Sequence, residues 1–436
     1  MRTRRSLALL AAGALAGCGG RCPEIAAAKR ALVDRTTVAP GPHVQVRIPF
    51  ERADAFLAEL LRDQPLAVPI ALPSLLPIAL PSHELTAIAR EVRLRPAPPD
   101  RVGFAMRIEI DDAHQPVTTL AIETEVKPAV VRDHGITELV AGVGPENLLA
   151  VTPELGADAE RSLGEAVTRW LPPVVRDHLP RGVLDRTARE LATYLTGAAY
   201  KLLQTTLLRR LGEVTRLRVR LPDLPIARVA LRSPAARDEP QREALTIDLT
   251  TDLPVRRGLT AAAPAGDEVV VRISGSTATE LANWAIDHAY LPQRYTRGLE
   301  PKPDGEFRPR FDELAEDRAR PVKIHVFQER GGCSYFRVGL RLELQIIGDQ
   351  LEVSTLDQRV EAARASPAIE IALWLKQLIQ GSIDRSRQAA AHTQLTVGGR
   401  TFTTRAVRAA MVDDELQFEL QFSRDAPTPT APPVLH

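Results

Sequence analysis

Apolar residues recur along the chain with two periods, and each period predicts an element type. Where every second position is apolar, one face of a strand is marked out. Val102, Phe104, Met106, Ile108 and Ile110 form one such face, with Arg107 and Glu109 opposite. Phe336, Val338, Leu340, Leu342, Leu344 and Ile346 form another, followed by a Gly348-Asp349-Gln350 turn and a returning strand with Leu351 and Val353. Helical spacing marks five stripes. They are Phe56, Leu57, Leu60 and Leu61; Leu163, Val167, Trp170, Leu171 and Val174; Leu191, Tyr194, Leu195, Ala198 and Leu202; Leu281, Trp284, Ala285 and His288; and Ile371, Trp374, Leu375, Leu378 and Ile379. Pro172-Pro173 breaks or kinks the second stripe, because proline lacks the donor a helix needs. Thr277 and Glu280 have capping-box spacing. Ser366-Pro367 reads as a cap followed by proline at the first helical position.

The chain reads as two related halves. Val44-Gln45-Val46-Arg47-Ile48 recurs as Val269-Val270-Val271-Arg272-Ile273. Each run leads into an amphipathic helix, then alternating strands, then a longer helix, then closing strands. The closing strands are Leu217, Val219 and Leu221 between Arg216, Arg218 and Arg220, and Leu416, Phe418, Leu420 and Phe422 between Gln417, Glu419 and Gln421. The region from about Leu231 to Pro264, with Leu245, Ile247 and Leu249 alternating, reads as sheet shared between the halves. The fold class is therefore α+β, in two tandem units.

This element order resembles the tubular lipid-binding (TULIP) superfamily in its tandem, bactericidal/permeability-increasing-protein-like form. The stretch from Ser276 to Trp284 looks like that family's strand-to-helix entry. The resemblance covers about residues 44–423. It implies an elongated pair of twisted antiparallel sheets, each wrapped on a long helix and meeting at a central sheet, with acyl chains lying between helix and sheet. The division expected is 44–234 for the first unit, 235–265 for the connecting sheet and 266–423 for the second unit. Candidate groove residues are Phe104, Met106, Ile108, Trp170, Trp284, Phe336, Val338, Leu340 and Trp374. For the tryptophans, ordinary core packing is the competing reading. Members that bind lipopolysaccharide have a cationic first half, whereas residues 44–234 here hold 24 basic and 24 acidic residues. Endotoxin is therefore not the expected ligand.

The N-terminal pattern points to export. Arg2, Arg4 and Arg5 precede a short apolar run from Leu7 to Ala16, too short to span a bilayer. Leu15-Ala16-Gly17-Cys18 resembles the lipobox of bacterial lipoproteins, with Cys18 as the acylated residue. The expected division is a signal peptide over 1–17 and an anchor linker over 18–43. Gly19 supplies no acidic retention signal, so the outer membrane is the expected location in the cell envelope. Cys22 and Cys333 remain, and they either pair in the oxidising compartment or stay free. The Pro-rich tail, 424–436, is expected to be disordered.

Pro65 to Ser82 carries prolines at 65, 69, 73, 77 and 81 and no charge. Five prolines exclude a transmembrane helix. Leu66, Ile70, Leu72, Leu76 and Leu80 are candidates for a membrane contact or a groove gate. The competing reading is an extended edge segment packed on the core.

The 436 residues carry a formal charge of +1 and only 4% aromatics, which argues against nucleic acid as a partner. Arginine supplies 50 of the 56 basic residues, a compositional bias and not a binding signature. Nucleophile-elbow, zinc-protease and phosphate-loop motifs are absent from the sequence. Asp111, Asp112 and His114 read as a polar hairpin turn in preference to a metal site. No cofactor is expected. The expected function is non-enzymatic binding or carriage of a lipid or similar apolar ligand by a protein held to the membrane through its acylated N-terminus, with protein partners left open. The alternatives are a structural envelope lipoprotein without a ligand and a hydrolase whose site has no recognisable motif.

Overall fold

The computed structural model describes residues 21–36, 38–61, 66–70, 83–112, 115–127, 129–133, 136–141, 148–153, 157–170, 173–178, 217–221, 225–233, 244–260, 266–296, 300–313, 316–330, 333–348, 350–364, 389–390, 392–397, 400–412 and 414–423. The expected signal peptide, Cys18, Leu72, Leu76, Leu80, Trp374 and the Pro-rich tail lie outside these residues, as do the stripes from Leu191 and from Ile371.

The chain opens with helix α1 (Arg21–Val33) and strand β1 (Val44–Pro49), then α2 (Phe50–Leu61) and β2 (Leu66–Ile70). A meander follows: β3 (His83–Ala97), β4 (Arg101–Asp112), β5 (Gln115–Val126), β6 (Ala129–Asp133), β7 (Ile136–Ala141) and β8 (Leu148–Pro153). Helix α3 (Ala157–Trp170) stops before Pro172, and α4 (Pro173–His178) restarts with proline first, the break expected of that pair. Strands β9 (Leu217–Leu221), β10 (Ile226–Arg232) and β11 (Ala244–Thr251) close the first half. The second half runs β12 (Val269–Ser274), α5 (Gly275–Asp287), β13 (Phe307–Glu313), β14 (Val322–Gln328), β15 (Tyr335–Ile347) and β16 (Gln350–Arg364). It ends with β17 (Ala389–Ala390), β18 (His392–Val397), β19 (Arg400–Val412) and β20 (Glu415–Ser423).

Every described strand pairing is antiparallel. The largest sheet has the order β10-β11-β1-β12-β20-β19-β18. The two repeated pentapeptides sit side by side in it, with Val44 opposite Ile273, Gln45 opposite Arg272, Val46 opposite Val271 and Arg47 opposite Val270. The third residue of one repeat thus faces the third residue of the other. The flanking order matches as well: β11 and β10 lie outside β1, as β20 and β19 lie outside β12. The arrangement is a local two-fold in strand order, and it includes the 244–251 strand expected in shared sheet.

Each half carries its own meander. Strands β2-β3-β4-β5-β8 form one five-stranded sheet and β13-β14-β15-β16-β17 the other. A smaller sheet, β6-β7-β9, takes the arginine-bearing strand 217–221. Leu66–Ile70 is the edge strand β2, with Leu66 opposite Ala87 and Ile70 opposite His83. An edge suits Pro69, which cannot donate to a ladder. The β15–β16 hairpin pairs Ile347 with Gln350 across the expected turn, where Gly348 has φ +63°.

Two expectations about helices are corrected. Residues 21–33, inside the segment read as a linker, form α1. Its Ile25 is buried with Phe327 of β14 and Tyr335 of β15, with Leu32 and Ala362 packed alongside. Cys22 is disulfide-bonded to Cys333, their Cα atoms 5.3 Å apart. The sequence hides this because α1 has little amphipathic contrast, and its partners lie about three hundred residues away. The second correction concerns α5. Its N-cap is Ser274, whose hydroxyl accepts from Thr277 N–H at 3.1 Å, so Thr277 stands three residues inside and not at the cap. The buried side of α5 is Ser276, Thr279, Glu280, Asn283 and Ile286, while Leu281, Trp284 and Ala285 are only half-buried and His288 is exposed.

Candidate functional site

The apolar strand faces come first, because the expected ligand would lie against them. On β4, Met106, Ile108 and Ile110 are fully buried, and Phe104 is half-buried. Pairing extends this face sideways: Met106 lies between Val92 and Ile122, and Ile108 lies opposite Leu120. Val92, Leu120 and Ile122 are buried too, which gives an apolar layer three strands wide. Trp170 closes one end of this half. Its indole is buried, and Nε1 donates to Asp112 Oδ2 at 2.8 Å, at the hairpin that pairs Asp112 with Gln115. That hairpin carboxylate therefore serves as an acceptor for the tryptophan.

The second meander repeats the layer. Phe336, Val338 and Leu340 of β15 are buried with Val322 and Val326 of β14 and Phe307 of β13. Ile324, Leu342 and Met411 pack against them. Phe307 and Phe336 rings are tilted, with centroids 6.3 Å apart. Trp284 stands apart from this layer. It packs beside Ala39, Leu253 and Val255 and stacks on His288 and Tyr290, with centroids at 4.5 and 5.2 Å.

The other side of β14 was not anticipated. Lys323, His325 and Phe327 alternate with the apolar residues and are just as buried, so β14 is covered on both faces. Ile25 of α1 covers Phe327, Asp317 and Glu361 cover Lys323, and α5 packs on the neighbouring β13, with charge held between them. Arg35 grips Asp312 with both guanidinium nitrogens, at 2.9 and 3.2 Å, and stands 3.6 Å from Glu280. Arg256 reaches Asp312 at 3.3 Å, and Arg257 reaches Glu313 at 3.0 Å. Asn283 uses its amide like a strand partner: Nδ2 donates to Phe311 O, and Oδ1 accepts from Phe311 N–H, both at 2.8 Å. Lys323, 1% exposed, pairs with Asp317 and Glu361. Gly339 makes room for that pair, because a Cβ there would meet Glu361 Oε1 and Lys323 Nζ.

Burial dominates the titration of this layer. It pushes the Glu280 and Glu313 carboxyls above their usual range. It lowers His325 from 6.5 to about 4, against the opposing pull of Asp312, so the ring is neutral near pH 7. His325 Nδ1 pairs with Tyr335 Oη at 2.9 Å, while Nε2 stands 3.9 Å from Asp312 Oδ2, beyond hydrogen-bond reach. His325 and Asp312 are both buried, 6% and 4% exposed, within this charged layer.

A second polar chain crosses the central sheet. Arg232 pairs with Asp248 at 2.6 Å, Gln45 donates to Asp248 at 2.9 Å, and Arg272 donates to Gln45 Oε1 at 3.2 Å and to Glu415 at 3.1 Å. Five strands are thus linked through side chains across the β1–β12 seam. Among the described residues, no helix is long and apolar enough to cross a membrane.

No family model matches the chain, and no curated protein matches it. Solved structures do align. A lipopolysaccharide binding protein shares 11% identity over 89% of this chain and 100% of its own, with a TM-score of 0.26. P47 of Clostridium botulinum E1 shares 9% over 87% of this chain and 98% of its own, at 0.34. P47 from Clostridium botulinum A2 shares 9% over 87% and 97%, at 0.35. Superpositions this loose leave the functional reading to the chain's own geometry.

Proposed function

We propose that the chain is an acyl-anchored protein of the bacterial cell envelope that binds a lipid or similar apolar ligand without catalysis. The two halves, 44–234 and 266–423, act as tandem binding units about the central sheet. The observation that carries this reading is the pair of matching apolar layers. One is built on Met106 and Ile108, the other on Phe336, Val338 and Leu340, and each spans three strands of an antiparallel meander. An acyl chain laid on such a face gains about 0.8 kcal/mol per methylene removed from water. Phe104, half-buried between the buried Val102 and Met106 on the same face, is the point of entry. The uncharged Pro-rich segment that holds Leu66, Ile70, Leu72, Leu76 and Leu80 is assigned the membrane contact or groove gate. Cys18 carries the anchor, and the outer membrane is its site.

One observation favours a second reading. Ile108 and Val338 are each only 1% exposed, as core residues are. On that reading the same layers are permanent core, and the protein is a scaffold without a ligand. Organic extraction of the purified protein tests the choice: bound lipid in stoichiometric amount supports the binding reading, and a lipid-free protein supports the scaffold.

A further inference from the structure

We infer that the end of the second half formed by the β14–β15 turn and the segment after α5 is a membrane-contact surface, pressed on the bilayer by a short, disulfide-pinned stem. The inference rests on the acylation of Cys18 proposed above, and adds to it an orientation. Cys18 is four residues from Cys22, a distance the chain spans with at most about 14 Å. Cys22 is bonded to Cys333, in the turn between Gln328 and Tyr335. Helix α1 then fastens itself to the same end, through Ile25 on Phe327 and Tyr335 and through Lys29 on Glu329. The residues expected to give a flexible tether are therefore consumed in a docked helix. Even a compact chain of this length has a radius of gyration of about 22 Å, longer than the stem. A protein so held cannot hang away from the surface; the end bearing Cys333 must meet it.

That end is shaped for lipid. Tyr290 is 64% exposed and Leu291 42%. Both are held outward on a firm support. Their backbone N–H groups donate to Ala285 O at 2.9 and 3.0 Å, and the Tyr290 ring lies on Trp284, which itself rests on Leu253 and Val255. The segment belongs to the pinned end. Arg294 pairs with Glu329, the same carboxylate that holds Lys29, and Tyr295 exchanges both backbone hydrogen bonds with Phe307, at 2.9 and 3.0 Å. A tyrosine with an apolar body and a wet hydroxyl suits the headgroup boundary. Among the described residues, the exposed charges on this end include the acids Glu24, Asp287, Glu300 and Asp304 and the bases Lys302 and Arg330; Asp287 pairs with Arg308 and Arg310, and Lys302 is 3.6 Å from Asp304. The contact itself is carried by the exposed side chains of Tyr290 and Leu291.

Hydroxyl-radical footprinting of the full chain in phosphatidylcholine nanodiscs, beside the Cys18→Ser chain in solution, tests this directly. Mass spectrometry of the N-terminal peptide first reads the acyl chain. With Cys18 acylated, Tyr290 and Leu291 are expected to oxidise several-fold more slowly in the disc. Leu149 and Val174, 60% and 72% exposed in the first half, are expected to keep their rates, and the buried Ile108 and Phe327 to stay protected in both samples, which reports that the Cys18→Ser chain is folded. Acylated protein with unchanged rates at Tyr290 and Leu291 overturns the orientation and leaves the anchor standing. A Cys18 peptide without an acyl chain overturns both.

Discussion

Val46 and Val271 face each other as Cα partners across the β1–β12 seam, each the third residue of a repeated pentapeptide. One position along, Gln45 faces Arg272 and joins it to Asp248, so the seam is crossed by a chain of buried polar groups as well as by backbone. Arg272 is 2% exposed and is the cation for Glu415. Arg272→Met is expected to cost about 3–5 kcal/mol, because it strands a buried carboxylate. The double variant Arg272→Met/Glu415→Leu is expected to recover most of that loss. Urea midpoints of the two variants check this, and a double variant no better than the single one would show that the pair is not the source of the cost.

Cys22 and Cys333 close a loop spanning 311 positions in sequence. Chain-entropy arguments assign such a loop about 5 kcal/mol of stability. Reduction is therefore expected to lower the unfolding midpoint markedly and to release α1 first, since Ile25, Leu32 and Lys29 are then left among its holds on the β14–β15 end. Hydrogen exchange over residues 21–33, with and without reductant, reads this out.

Acid is expected to weaken the layer beneath α1. An unfolded His325 takes a proton near pH 6.5, whereas burial holds the folded ring to about 4. Asp312 opposes that shift, and Arg337, Arg35 and Arg256 add to it. The unfolded state therefore binds more protons, and stability falls as pH drops from 6.5 to about 4, by roughly 3 kcal/mol in full. Glu280 and Glu313, raised by burial, act in the opposite sense, gaining stability on protonation above their unfolded range. His325→Gln removes the histidine contribution alone. The stability of the wild type relative to this variant is expected to decline across that window, and parallel pH curves would contradict the assignment.

Ile108→Ala and Leu340→Ala are expected to destabilise by about 2–5 kcal/mol each, since both are buried in a strand layer. Leu72→Ser/Leu76→Ser/Leu80→Ser is expected to leave the unfolding midpoint nearly unchanged while loosening retention of the apolar ligand. A large loss of stability in the triple variant would assign those leucines to the core.

Much of this architecture was legible because period and position agree. The β4 and β15 faces alternate without interruption, Pro172-Pro173 ends α3, and Gly348 turns β15 into β16. What escaped depended on distant partners. The helix α1 has no clear apolar stripe, and its place follows from Cys333, Glu329, Phe327 and Tyr335, all about three hundred residues away. The buried polar side of α5 depends on distant partners in the same way: Glu280 meets Arg35, and Asn283 bonds to the Phe311 backbone. Ser274, Ser276 and Thr277 all offer a capping hydroxyl, and the close pairing of Gly275 N–H with Asp414 O at 2.8 Å accompanies the cap at Ser274. Trp284, read on the helix stripe with Leu281, Ala285 and His288, is half-buried beside Ala39, Leu253 and Val255 and stacks on Tyr290.

Native mass spectrometry of the full chain, released gently from membranes, tests the central claim most directly. The account predicts a covalent acyl mass on Cys18 and, beyond it, a discrete non-covalent lipid mass of one or two molecules per chain, lost on Ile108→Ser or Val338→Ser. A chain that carries no non-covalent lipid under conditions that keep it folded would contradict lipid binding and leave the two apolar layers as core.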